Sequence, residues 1–131
     1  MKDLHTQIAP VVAVAPAVLA ATATSAAVDL QGFNSATVVI ATGSIVGDGA
    51  FSAKLQHSDT TAAGGFTDVP ANGVLGETPS ALEADAAYKL GYVGGSAGHK
   101  RYLRVILTKD GGTSLAASAV VVRGHPADTP A

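Results

Sequence analysis

Between residues 26 and 123 the dominant pattern is apolar side chains at every second position, in short runs, and no stretch carries a helical stripe over three turns. A two-residue period belongs to strands, whose side chains point alternately to the two faces of a sheet. Residues 36–42, ATVVIAT, are β-branched and apolar enough for a central strand. In residues 50–57, Phe51, Ala53, Leu55 and His57 share one face, and Ser52, Lys54 and Gln56 share the other. Shorter runs lie at 26–31, 66–69 and 86–93. Residues 100–107 and 114–123 flank Thr108-Lys109-Asp110-Gly111-Gly112, whose Asp-Gly step predicts a hairpin joining the two. Both faces of that pair are partly apolar, which places it mid-sheet. Residues 70–85 read either as a short helix, with Thr78 as cap and Pro79 in its first turn, or as an irregular connection. About eight short strands with turn residues between them predict an all-β fold, an antiparallel β-sandwich or jelly-roll-like barrel.

Residues 8–28, IAPVVAVAPAVLAATATSAAV, precede that domain as a nearly uncharged apolar segment. As a secretory leader it is a poor fit, because Lys2 is offset by Asp3 and Pro10 and Pro16 interrupt the run, so it is expected to stay with the mature chain. The same prolines, with Thr22, Thr24 and Ser25, argue against a membrane span. Proline fixes φ and removes a backbone donor, so the segment reads as extended, with one short strand near Val11–Val14. The expected organisation is an extended arm over residues 1–25, a β-sandwich over 26–124 and a flexible tail over 125–131. The arm's Ile8, Val11, Val12, Val14, Val18 and Leu19 are candidate assembly contacts, because such a segment needs other polypeptide to lie against.

The chain holds 131 residues, enough for one domain. Hydrophobic residues make up 47 % but aromatic ones only 5 %, so the core must be built from Val, Leu, Ile and Ala. With no cysteine there is no disulfide framework and no thiolate chemistry, which suits a reducing compartment. The net charge of −2 argues against nucleic acid as the main partner. Before Lys54 the charged residues are only Lys2, Asp3, Asp29 and Asp48. That neutral third reads equally as deeply placed strands or as an interface.

Catalytic patterns are absent. His5, His57, His99 and His125 are scattered, one per region, with no His-x-x-x-His spacing for a metal, and each reads as a surface polar residue. Ser58-Asp59 beside His57 lacks the Gly-x-Ser-x-Gly elbow of a hydrolase. Glu83 and Asp85 are too ordinary a pair to argue acid–base work. Gly94-Gly95-Ser96-Ala97-Gly98-His99-Lys100 lacks the spacing of a phosphate loop and reads as an inter-strand loop. His99, Lys100 and Arg101 beside it are candidate loop contacts.

The segments VDLQGFNSATVVIATG, LQHSDTTAAGGFTDVP, YKLGYVGGSAGHKRYLRVILT and AVVVRGHP, in that order, span residues 28–126. Their succession resembles small head decoration (cement) proteins of tailed bacteriophages and gene transfer agents. The resemblance implies a non-enzymatic virion protein on the capsid exterior, assembled in the host cytoplasm. It also implies the major capsid protein as partner, bridged capsomers, a homo-oligomer with a trimer favoured, and no cofactor, membrane or nucleic acid. A tail or head-completion subunit is the alternative within the virion. A glycan-binding β-sandwich is a third reading, which three Tyr, three Phe and no Trp support poorly.

Overall fold

The computed structural model describes residues 3–93 and 98–127. Its strands are β1 (Ile8–Leu19), β2 (Ala23–Thr24), β3 (Val28–Asp29), β4 (Phe33–Val46), β5 (Ala50–Ser58), β6 (Thr67–Asp68), β7 (Val74–Leu75), β8 (Ala87–Tyr92), β9 (Tyr102–Gly111) and β10 (Ser114–Pro126). They form two antiparallel sheets. The first has the order β1-β10-β4-β8-β7, and the second β2-β9-β5-β6 with β3 also on β9. The sheets pack face to face, so the fold is a β-sandwich, as the two-residue period predicts.

Alternation explains the core. Val38 and Ile40 of β4, Leu90 of β8 and Val121 of β10 point inward from the first sheet, while Phe51, Leu55, Leu103 and Val105 point inward from the second. Ala36, Ala53, Ala117 and Ala119 fill positions where a larger side chain would hold the sheets apart.

Four sequence expectations need correcting. First, β9 and β10 are not a hairpin: β9 pairs with β5 in the second sheet, and β10 with β4 and β1 in the first. Their connection is an arch across the core. It lets Leu103, Val105 and Leu107 face Leu115, Ala117 and Ala119 through the interior, where a hairpin would put both stripes side by side. The β4–β5 connection is a second arch, through Gly47-Asp48-Gly49, and the two touch: the Thr113 N–H donates to the Gly47 carbonyl at 3.1 Å. Gly112, at φ +70°, lies against the Asp48 carbonyl.

Second, within the segment expected as an arm, Ile8–Leu19 is the edge strand of the first sheet, in register with β10 from Ile8↔Gly124 to Leu19↔Leu115. Pairing supplies the backbone partners that an isolated arm would lack. The prolines are tolerated because an edge strand leaves half of its donors without a ladder to serve. Third, His125 and Pro126, expected in the tail, close β10, with Pro126 opposite Phe33. Residues 128–131 lie outside the described residues. Fourth, the Asp110-Gly111 step expected to turn the chain closes β9, and the positive φ of the reversal falls on Gly112. Of the two readings for the stretch before β8, residues 76–86 follow the irregular one, anchored by buried Leu82, whose N–H donates to the Phe51 carbonyl at 2.8 Å.

Candidate functional site

The residue with the richest chemistry is the least accessible. His57, expected on the surface, is 1 % exposed, because the inward stripe of β5 continues through it. Its Nδ1 lies 2.7 Å from the Tyr92 Oη, which accepts the Lys100 N–H at 2.9 Å. The Tyr92 hydroxyl, with one donor and two lone pairs, serves both groups at once, and the tautomer of the imidazole sets which of the two donates in the His57–Tyr92 bond. Among the described residues, Nε2 has no hydrogen-bond partner. The Ser58 Oγ bonds within its own turn, accepting the Thr60 N–H at 3.0 Å, while the His57 Nδ1 faces the Tyr92 hydroxyl instead. The pair is a strut between the sheets.

Burial, helped by the nearby Lys100 charge, lowers the His57 pKa below the ordinary 6.5. The unfolded chain therefore binds a proton that the folded chain refuses, and stability falls as pH drops below 6.5. Chemical denaturation at pH 7.5 and pH 5 is expected to show the wild type losing stability, and His57→Gln losing measurably less. Equal losses in the two proteins would remove His57 as the cause.

The charged side chains gather on the outer face of the second sheet. Lys54 pairs with Asp68 at 3.4 Å, the Gln56 Nε2 donates to Asp68 at 2.7 Å, and the Arg104 Nε donates to the Gln56 Oε1 at 2.8 Å. Arg104 also stacks 4.4 Å above the Phe66 ring. Arg101 grips Asp29 through two hydrogen bonds of 3.0 and 2.9 Å. That grip, with the Gln31 N–H, holds the Asp29 carboxyl down at about 2. Lys100 reaches Asp59 at 3.2 Å, and the His99 ring lies 5.0 Å from that of Tyr92. All three candidate loop contacts thus have a partner within the subunit. Residues 94–97 of that loop lie outside the described residues.

The outer face of the first sheet is the opposite in character. One row across it reads Val12, Val120, Val39, Lys89, and the next Pro10, Val122, Thr37, Gly91, Leu75. Val12, Val18 and Leu75 are 60, 68 and 61 % exposed. Among the described residues, the ionisable side chains on these outer positions are Lys89, towards one flank, and His125, which bonds Ser35 at one end. A shallow groove of about 420 Å³, floored by Ala41, Gly43, Ala116 and Ser118, runs beside Val18 where a bulge near Pro16 shifts the β1 register.

Alternation divides the six arm candidates. Val12 and Val18 project from this face, and Ile8 lines its end with Thr37 and Val122. Val14 is buried, and Val11 and Leu19 pack on the core, so these three are not free for contact with another chain. Val39, Val120, Val122 and Leu75 are additions that the sequence reading missed. For Val39, Val120 and Val122 the signal was the apolar character of both faces in ATVVIAT and in SLAASAVVV, of which only one face is needed inside.

No protein-family model matches this sequence, and no curated protein does. Solved structures match it in architecture. A chain of the T13 infectious bursal disease virus particle superposes with TM-score 0.56 at 12 % identity, over 95 % of this chain and 32 % of that one. The likeness is one of fold. A chain of the infectious bursal disease virus VP2 subviral particle gives 0.52 at 12 % identity, over 92 % and 33 %. The SPBc2 prophage-derived protein YomS gives 0.50 at 13 % identity, over 93 % and 98 %. The chain therefore spans about a third of the length of the viral-particle chains and nearly all of YomS.

Proposed function

We propose that this chain is a non-enzymatic structural subunit of a virion, a decoration or cement protein that stabilises a phage head by bridging capsomers. The observation that carries the reading is the contrast between the two outer faces of the sandwich. One is laced with ion pairs and suits water, and the other is an apolar sheet face with almost no charge. A domain with one such face is built to be covered. The fold shared with viral-particle chains and with a prophage-derived protein supports the same reading, and so does the sequence resemblance to head decoration proteins.

Cement action needs little affinity per subunit, because many weak contacts multiply over a lattice. His99, Lys100 and Arg101 at one end of the sandwich are proposed contacts to the major capsid protein on the shell exterior. Exposed ion pairs are worth only about 0–1 kcal/mol, so Lys100 and Arg101 can exchange Asp59 and Asp29 for acidic groups of a partner at small cost. The test is co-sedimentation of the full chain with empty heads assembled from the major capsid protein of the same genome. Saturable binding at a fixed ratio, with a raised melting temperature of the heads, is the expected result. No saturable binding overturns the cement reading, and closed rings of the chain bound at one vertex would replace it with a head-completion role.

A further inference from the structure

We infer that the outer face of the first sheet is the interface between two copies of this chain, packed sheet on sheet about a two-fold axis. The inference deepens the structural-subunit reading above by naming one partner and the surface it uses.

The size of the face is the first argument. Strands about 4.8 Å apart, rising about 3.3 Å per residue, give β1, β10, β4, β8 and β7 together an outer face of about 700 Å². Two copies covering it remove about 1,400 Å² from water, inside the roughly 1,200–2,000 Å² of stable specific interfaces.

Charge is the second. A surface brought against itself opposes every group to its own copy or a neighbour of it, so a charged face repels and a neutral one does not. Val12, Val120, Val39, Val122 and Thr37 present nothing to repel. Lys89 lies towards the β8 flank, where its stem can cover apolar surface while the amine reaches water. Relief is the third argument. Val18 stands beside the groove floored by Ala41, Gly43, Ala116 and Ser118, so one face carries both a ridge and a place for a ridge. A two-fold pair uses both twice.

The edges leave few other routes. β1 carries Pro10, Pro16 and two register shifts, and β7 is two residues long, so neither offers a long ladder to a second sheet. Self-matching of one face gives a two-fold pair, where a trimer would need two different patches. A pair also shows every remaining surface twice, once to each of two neighbouring capsomers, which is the geometry of a clamp.

Sedimentation equilibrium of the full chain is expected to give a dimer. Val120→Glu, at the centre of the face, is expected to weaken it at least 100-fold, and Lys54→Glu on the other sheet to leave it unchanged, with circular dichroism showing both folded. Because the chain has no cysteine, Lys89→Cys, at the flank of the face, and Ser52→Cys accept single spin labels. Sheets stacked about 10 Å apart put the Lys89 labels of a pair closer to each other than the Ser52 labels, which lie beyond about 35 Å. A monomer at about 100 μM, a dimer indifferent to Val120→Glu, or reversed label distances would overturn the inference. A dimer with the expected distances that ignores empty heads upholds this interface and discards the cement reading, and a monomer that coats heads does the opposite.

Discussion

Gly112→Ala is expected to destabilise the fold by more than about 3 kcal/mol, lowering the melting temperature by about 10 °C or more. Two independent costs add at this residue. Its φ of +70° is a conformation that an L side chain adopts at about 1–2 kcal/mol. Its missing Cβ would also meet the Asp48 carbonyl and the Gly49 nitrogen, both backbone atoms of the neighbouring arch, which cannot rotate away. Gly32→Ala separates the two costs. Gly32 has φ +89° but nothing within 4 Å of the added carbon, so it should lose only the conformational part. Thermal melts of the two variants are expected to differ clearly, and equal shifts would show that the arches can move apart.

The second large effect comes from two adjacent valines of β10. Val121 is fully buried, and Val120 is its neighbour on the outer face. Val121→Glu places a carboxylate in the apolar core beside its cross-strand partner Val38, while the nearby Arg123 is committed to the Ala9 and Asp29 carbonyls. Burying an unpaired charge costs several kcal/mol even after relaxation, against a total stability of about 5–15 kcal/mol for a domain. No cooperative melting transition is expected for Val121→Glu. Val120→Glu should keep the wild-type circular dichroism spectrum, changing association and not folding. If both variants unfold, the outer face is part of a buried core; if only Val120→Glu unfolds, the assigned facing of β10 is reversed.

That pair of valines also marks what the sequence carried and what it withheld. The strands at 36–42, 50–57, 86–93 and 114–123 were legible because alternation is a local property: β4, β5 and β10 contain three of them, and β8 lies within the fourth. Partnership is not local. The glycines at 111 and 112 mark a sharp reversal, made at Gly112 after β9 has ended, and either a hairpin or an arch satisfies it; only the positions of β5 and β4 decide. β10 was rightly placed mid-sheet, but VVV has no polar member to say which valine faces out. The apolar segment at Ile8–Leu19 was read as an arm because its prolines suggest an unpaired chain, although an edge strand accommodates them as well. His57 was on the page as the last member of an inward stripe, and its polar side chain outweighed its position until Tyr92, thirty-five residues away, came into view as its partner.

The pairing of β1 with β10 sets the order in which the molecule can be made. A ribosome delivers Ile8–Leu19 early, yet the strand that completes its ladder, Ser114–Pro126, emerges more than a hundred residues later. Until then β4 also lacks one of its two neighbours. Such distant pairing slows folding, because loops must close before the contacts that reward closure exist. A nascent or truncated polypeptide therefore holds no finished first sheet, and only chains translated through β10 acquire the surface on which recruitment into a larger particle would depend.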